Sequence, residues 1–159
     1  MKLSPPSLAG VLICVSAVAF ASDYKVGSIE IDNPWSRATP EGASIAVGYM
    51  TIKNNGSAPE RLIAASVDAA GSVEFHSTVM DNGVSKMREL PSIEISPGQT
   101  IELKPGGTHA MLVDLKHPLQ KGEYIAGSLT FEHAGTVRIE YLVEGIGARN
   151  PEHGMSHVR

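Results

Sequence analysis

A single cysteine, Cys14, stands among the 159 residues, and it lies inside an N-terminal apolar run. Lys2 supplies a positive start, Leu8 to Phe20 the apolar stretch, and Ala19-Phe20-Ala21 a small-x-small cleavage site before Ser22. This is the pattern of a secretory signal peptide over residues 1–21. An apolar helix of that length reaches only about 20 Å, against the ~30 Å of a hydrocarbon core, so a cleaved leader fits better than a membrane anchor. Ile13 is larger than the residue that lipoprotein processing usually takes before its cysteine, so Cys14 reads as part of the leader's apolar region. Cleavage after Ala21 would leave 138 residues and no thiol. That excludes a disulfide framework, a thiol redox centre and a cysteine-ligated blue-copper site.

Positive charge is also scarce. Lys and Arg number 13 against 17 Asp and Glu, a formal charge of −4 that becomes −5 without Lys2. A mildly acidic domain is a poor partner for nucleic acid. Helical periodicity is missing too. Short alternating or apolar segments recur instead, at Val26–Ile31, Ala46–Ile52, Arg61–Val67, Val73–Val79, Thr100–Leu103, Ala110–Leu115, Tyr124–Phe131 and Val137–Val143. Turn signals divide them: Asn33-Pro34, Asn54-Asn55-Gly56, Asp81-Asn82-Gly83, Ser96-Pro97-Gly98, Pro105-Gly106-Gly107 and Lys121-Gly122. Seven or eight strands at this spacing predict one all-β domain over residues 22–146, a Greek-key sandwich or barrel. Residues 147–159 lose the apolar pattern and read as a flexible tail.

What the mature chain does hold is all six histidines and five of the six methionines. Four of them are spaced suggestively: His76, Met87 after ten intervening residues, then His109 after twenty-one more, with Met111 two further on. Two imidazoles and two thioethers without a thiolate suit Cu(I), because thioether sulfur is a soft, neutral ligand that binds zinc, magnesium or calcium poorly. His109 and Met111 share a strand face. If Asn82-Gly83 makes a two-residue hairpin turn, Asp81 faces Val84, Thr78 faces Met87 and Glu89 faces His76. His76, Thr78, Met80 and Met87 then share one face, with Met87 diagonal to His76. A register slip of one residue would send Met87 to the other side. Such a site at the sheet rim, built from neutral donors, would hold Cu(I) yet let it exchange. Glu74 and Glu89 are close enough in sequence to support an imidazole.

Each of these residues also has an ordinary reading. A methionine on a strand is usually core packing, and a single histidine is usually exposed or satisfied. Met80 is a spare ligand or core, Met50 reads as core, and His117 and His133 read as exposed. His153, Met155 and His157 make the tail a secondary candidate, for Cu(II) rather than Cu(I), or an ordinary chain end.

The spacing His-x10-Met-x21-His-x-Met resembles the signature of the periplasmic copper chaperones called PCuAC, which have a cupredoxin-like β-sandwich. "NPWSRATP" from Asn33, "VGYMTIKNNG" from Val47 and "ELKPGGTHAMLVDLKHPL" from Glu102 resemble the family as well. The resemblance implies a periplasmic protein that binds Cu(I) through His76, Met87, His109 and Met111. It also implies delivery to copper centres of cytochrome c oxidase, at subunit II and alongside a Sco-type copper protein. One departure is Ser77, where many relatives place a methionine directly after the first histidine.

Three function classes follow: a carrier with no reaction of its own, a copper oxidase or monooxygenase, and an exported structural or adhesive sandwich with no metal role. The predicted N-terminal Ser22 removes an amino-terminal histidine brace, and no His-x-His cupin cluster is present, so the sequence favours the carrier.

Overall fold

The computed structural model describes residues 23–151. Eleven strands run in chain order: β1 Tyr24–Val26, β2 Ile29–Arg37, β3 Ile45–Asn54, β4 Glu60–Val67, β5 Ala70–Asp81, β6 Val84–Leu90, β7 Ile93–Ile95, β8 Thr100–Leu103, β9 His109–Leu115, β10 Tyr124–Phe131 and β11 Gly135–Glu144. No helix occurs among the described residues, and none is long and apolar enough to cross a membrane. The spatial order is β6-β5-β9-β3-β2-β11-β10-β4-β7, with β1 added to β2 and β8 to β3. The β2–β11 pair is parallel, while the other pairings are antiparallel. The sheet coils until β4 packs against β5, enclosing Ile29, Ile31, Ile52, Leu62, Leu112, Leu129, Phe131, Ile139 and Tyr141. The backbone packs closely there: a Cβ at Gly48 would lie 3.0 Å from the Tyr141 ring. Alternation explains the layers, since one face of most strands carries these side chains, while β6 is exposed on both faces.

Strand positions follow the apolar alternation, and Thr100–Leu103 and Tyr124–Phe131 coincide with their predicted bounds. Eleven strands form where the spacing predicts seven or eight, because the hairpin arm β6 and the three-residue β7, Ile93–Ile95, lie outside the eight apolar segments and β1 splits from β2. Two local features also differ. The segment Val26–Ile31 is not one strand: Gly27-Ser28 turns it into a hairpin in which Val26 pairs with Ile29, with Gly27 at φ 55°. Nor does Asn33-Pro34 end a strand. Strand β2 continues to Arg37 because the two residues form a bulge opposite β3, between the pairs Asp32–Thr51 and Trp35–Tyr49. Asn33 takes φ 48°, and Pro34, which has no N–H to give, falls where the ladder is already interrupted.

Candidate metal centre

The hairpin β5–β6 has the register that its turn chemistry predicts. Asp81 pairs with Val84, Thr78 with Met87 and His76 with Glu89. Asn82 and Gly83 both have positive φ, 49° and 78°, as a two-residue primed turn requires. Met87 is therefore on the His76 face, diagonal to it.

The pairing of β5 with β9 brings in the second half. His76 lies directly opposite His109, and Glu74 opposite Met111. Phe75 and Ala110, also paired, point into the core, so His76, His109, Glu74 and Met111 occupy the face turned away from it. The two imidazoles stack with centroids 6.0 Å apart and planes inclined by 19°. All four donors singled out in the sequence thus sit on one face of three adjacent strands.

The environment is graded. Met87 is 60 % exposed and Met80 70 %, whereas His109 is 5 % exposed. The site is consequently deeper at its histidine end than a rim position implies. Beside His109 an aromatic wall rises from β2 and β3. Val47 pairs with Met111, so by alternation Tyr49 lies on the same face, level with His109. The Tyr49 ring is 4.6 Å from that of Trp35, both are buried, and the Arg37 guanidinium carbon lies 5.7 Å from the Tyr49 centroid. Burial raises the Tyr49 phenol above its ordinary pKa, with Arg37 partly offsetting this.

Each histidine is held by one ring nitrogen. His109 Nδ1–H donates to the Gly107 carbonyl at 2.9 Å, which leaves Nε2 free. The Pro105-Gly106-Gly107 turn makes this contact available: Gly106 takes φ 80°, and Gly107 N–H closes back on the Lys104 carbonyl. His76 Nε2–H donates to Glu74 Oε2, also at 2.9 Å, while its Nδ1 is buried without a partner. Of the two carboxylates that the sequence offers as partners for an imidazole, Glu74 makes the contact with His76, as residues two apart on a strand share a face. The Trp35–Tyr49 wall, by contrast, depends on strand order.

Other sequence candidates fall elsewhere. Met50 is 2 % exposed in the core. His117 is exposed, and its Nδ1 reaches only the neighbouring Pro118 carbonyl. His133 is exposed but contacts Glu60 through Nδ1 at 3.2 Å. Glu60, Glu132 and His133 bring ligand atoms within 4.8 Å of one another. Yet Glu60 already accepts the N–H groups of Arg61, His133 and Ala134, which marks it as a clamp on the β10–β11 turn. Ala148 is tied to β2 by the Arg37 Nε donor at 2.6 Å. A cleft of 520 Å³ lined by Trp35, Arg37, Lys104 and Arg149 lies beside the candidate centre and contains none of its four donors. His153, Met155 and His157 lie outside the described residues.

The family described as "Putative lipoprotein LpqE-like" matches residues 29–143. The chain belongs to this family, and its domain is of the PCuAC copper-chaperone type. It is 32 % identical to "Putative lipoprotein Lxx21020" of Leifsonia xyli subsp. xyli, over 90 % of this chain and 86 % of that one. The copper-bound PCuAC domain from PmoF2 is 34 % identical and superposes with a TM-score of 0.68, over 77 % of this chain and 97 % of that domain. The Cu(I) form of DR1885 from Deinococcus radiodurans is 28 % identical, with a TM-score of 0.57 over 76 % and 79 % of the two chains. The all-β, cupredoxin-like architecture expected from the sequence is the fold of these domains.

Proposed function

We propose that the protein is an exported copper carrier that holds one Cu(I) through His76, Met87, His109 and Met111. The observation that carries this reading is the direct pairing of His76 with His109, with Met111 and Met87 on the same face. Two neutral nitrogens and two thioethers match the softness of Cu(I) and contribute no anionic charge, so the ion can be passed on. The copper-bound PmoF2 domain and Cu(I)-DR1885 support the choice of metal. Exposed Met87 and Met80 supply soft donors on the solvent side, with Met80 as a spare thioether rather than a resting ligand.

The carrier works outside the inner membrane: the lipoprotein names of its family and its relative support export, while cleavage after Ala21, which discards Cys14, is read from the leader pattern alone. Its recipients are the copper centres of cytochrome c oxidase, reached at subunit II with a Sco-type protein. It catalyses no reaction of its own.

Anaerobic Cu(I) titration against a chromogenic chelator, with X-ray absorption of the loaded protein, tests the reading. The expected result is one tight equivalent with mixed sulfur and nitrogen scattering, lost in Met87→Ala/Met111→Ala. Absence of binding above background would return the chain to the structural-sandwich alternative.

A further inference from the structure

We infer that Glu74 is a positioning residue that fixes the tautomer of His76, so that the imidazole presents Nδ1, not Nε2, to the metal ion. The inference rests on the carrier reading for its metal but on the contacts of His76 for its geometry. An ionised carboxylate can only accept hydrogen bonds, so the 2.9 Å contact between His76 Nε2 and Glu74 Oε2 places the ring proton on Nε2. In the neutral imidazole that a metal ion requires, Nδ1 then carries a bare lone pair, and this atom is buried with no partner. An unpaired buried acceptor is disfavoured, and a metal ion is one group that can take it up.

His109 is held the other way round. Its Nδ1–H is committed to the Gly107 carbonyl, which leaves Nε2 as its donor. The two imidazoles would therefore ligate through different nitrogens, the inner one of His76 and the outer one of His109. Nδ1 is nearer the backbone than Nε2, so ligation through it would hold the ion closer to β5, the strand paired with both β6 and β9. Glu74 itself is partly open to solvent, with 41 % of its side chain exposed, so its replacement should leave the fold intact.

Long-range ¹H–¹⁵N NMR of the imidazoles tests this in the metal-free and Cu(I)-loaded protein. The expected spectrum has His76 protonated at Nε2 in both states, with Nδ1 shifted on loading. Glu74→Leu should give a tautomer mixture and a Cu(I) affinity lower by about 10–100-fold. Glu74→Gln, whose carbonyl can accept the same N–H, should restore the Nε2–H form. A wild-type His76 protonated at Nδ1, loss of the Nε2–H on loading, or an unchanged tautomer in Glu74→Leu would each overturn the inference. Failure to bind Cu(I) at all would instead strike the carrier reading, while the metal-free spectra would still decide the role of Glu74.

Discussion

Exchanging two adjacent residues on β6 isolates the effect of side-chain face from that of composition. Met87 pairs with Thr78 and projects with His76, whereas Lys86 pairs with Val79 and projects the other way. The double substitution Lys86→Met/Met87→Lys keeps every residue type and moves the thioether across the sheet. Folding should hardly notice. Met87 is 60 % exposed, and the Lys86–Asp81 pair that is lost spans two side chains more than half exposed, so about 0–1 kcal/mol is at stake. Copper affinity should respond strongly. Loss of a direct ligand should cost at least the roughly 10–100-fold typical of losing a supporting partner, or about 1.4–2.7 kcal/mol. Chelator competition under anaerobic conditions reads the affinity, and urea unfolding reads the stability. A transposed protein that binds Cu(I) as tightly as its parent would refute the assignment of Met87, and with it the argument from hairpin register.

Met80→Leu should leave equilibrium Cu(I) affinity unchanged in the same titration, because a 70 % exposed thioether beyond Met87 is a spare donor; a loss comparable to that of Met87→Leu would make it a resting ligand. Glu60→Gln should lower stability in urea by about 1–3 kcal/mol, since it removes the charge of a buried carboxylate that accepts the N–H groups of Arg61, His133 and Ala134. Burial alone would raise the Glu60 pKa, but those N–H bonds and the His133 imidazole outweigh it and hold the carboxyl below its ordinary value. The stability it contributes is therefore complete above the unfolded pKa of about 4.3 and is lost as pH falls through the lower folded value. The stability–pH curves of parent and Glu60→Gln should converge in acid, and parallel curves would contradict this account. Gly127→Ala should cost about 1–3 kcal/mol in the thermal transition, because a Cβ there runs into the Ser66 carbonyl oxygen on β4. An unchanged transition would mean that β4 and β10 can separate without penalty.

Much of the candidate centre is local and was therefore readable from the chain. Asn82-Gly83 favours positive φ at both turn positions, and that turn sets the register which puts Met87 diagonal to His76. His109 and Met111 share a face by strand alternation alone. Alternation likewise located most strands, because apolar side chains must recur every second residue when one face is buried. Gly27-Ser28 was a local turn hidden inside an apolar run, whereas the other misreading came from a longer-range pairing. Asn33-Pro34 has the composition of a break, yet the ladder with β3 carries β2 past it as a bulge.

The meeting of the two halves belongs to the tertiary structure. His76 and His109 are 33 positions apart, and only the pairing of β5 with β9 sets them face to face. Strand order also sets Tyr49, packed on Trp35, level with the buried His109, and a side-chain conformation settles that Glu74 holds His76. Turns and alternation act between neighbours and are written in the residue order. Which strands become neighbours depends on how the whole sheet coils to bury one core, and no short stretch of sequence encodes that.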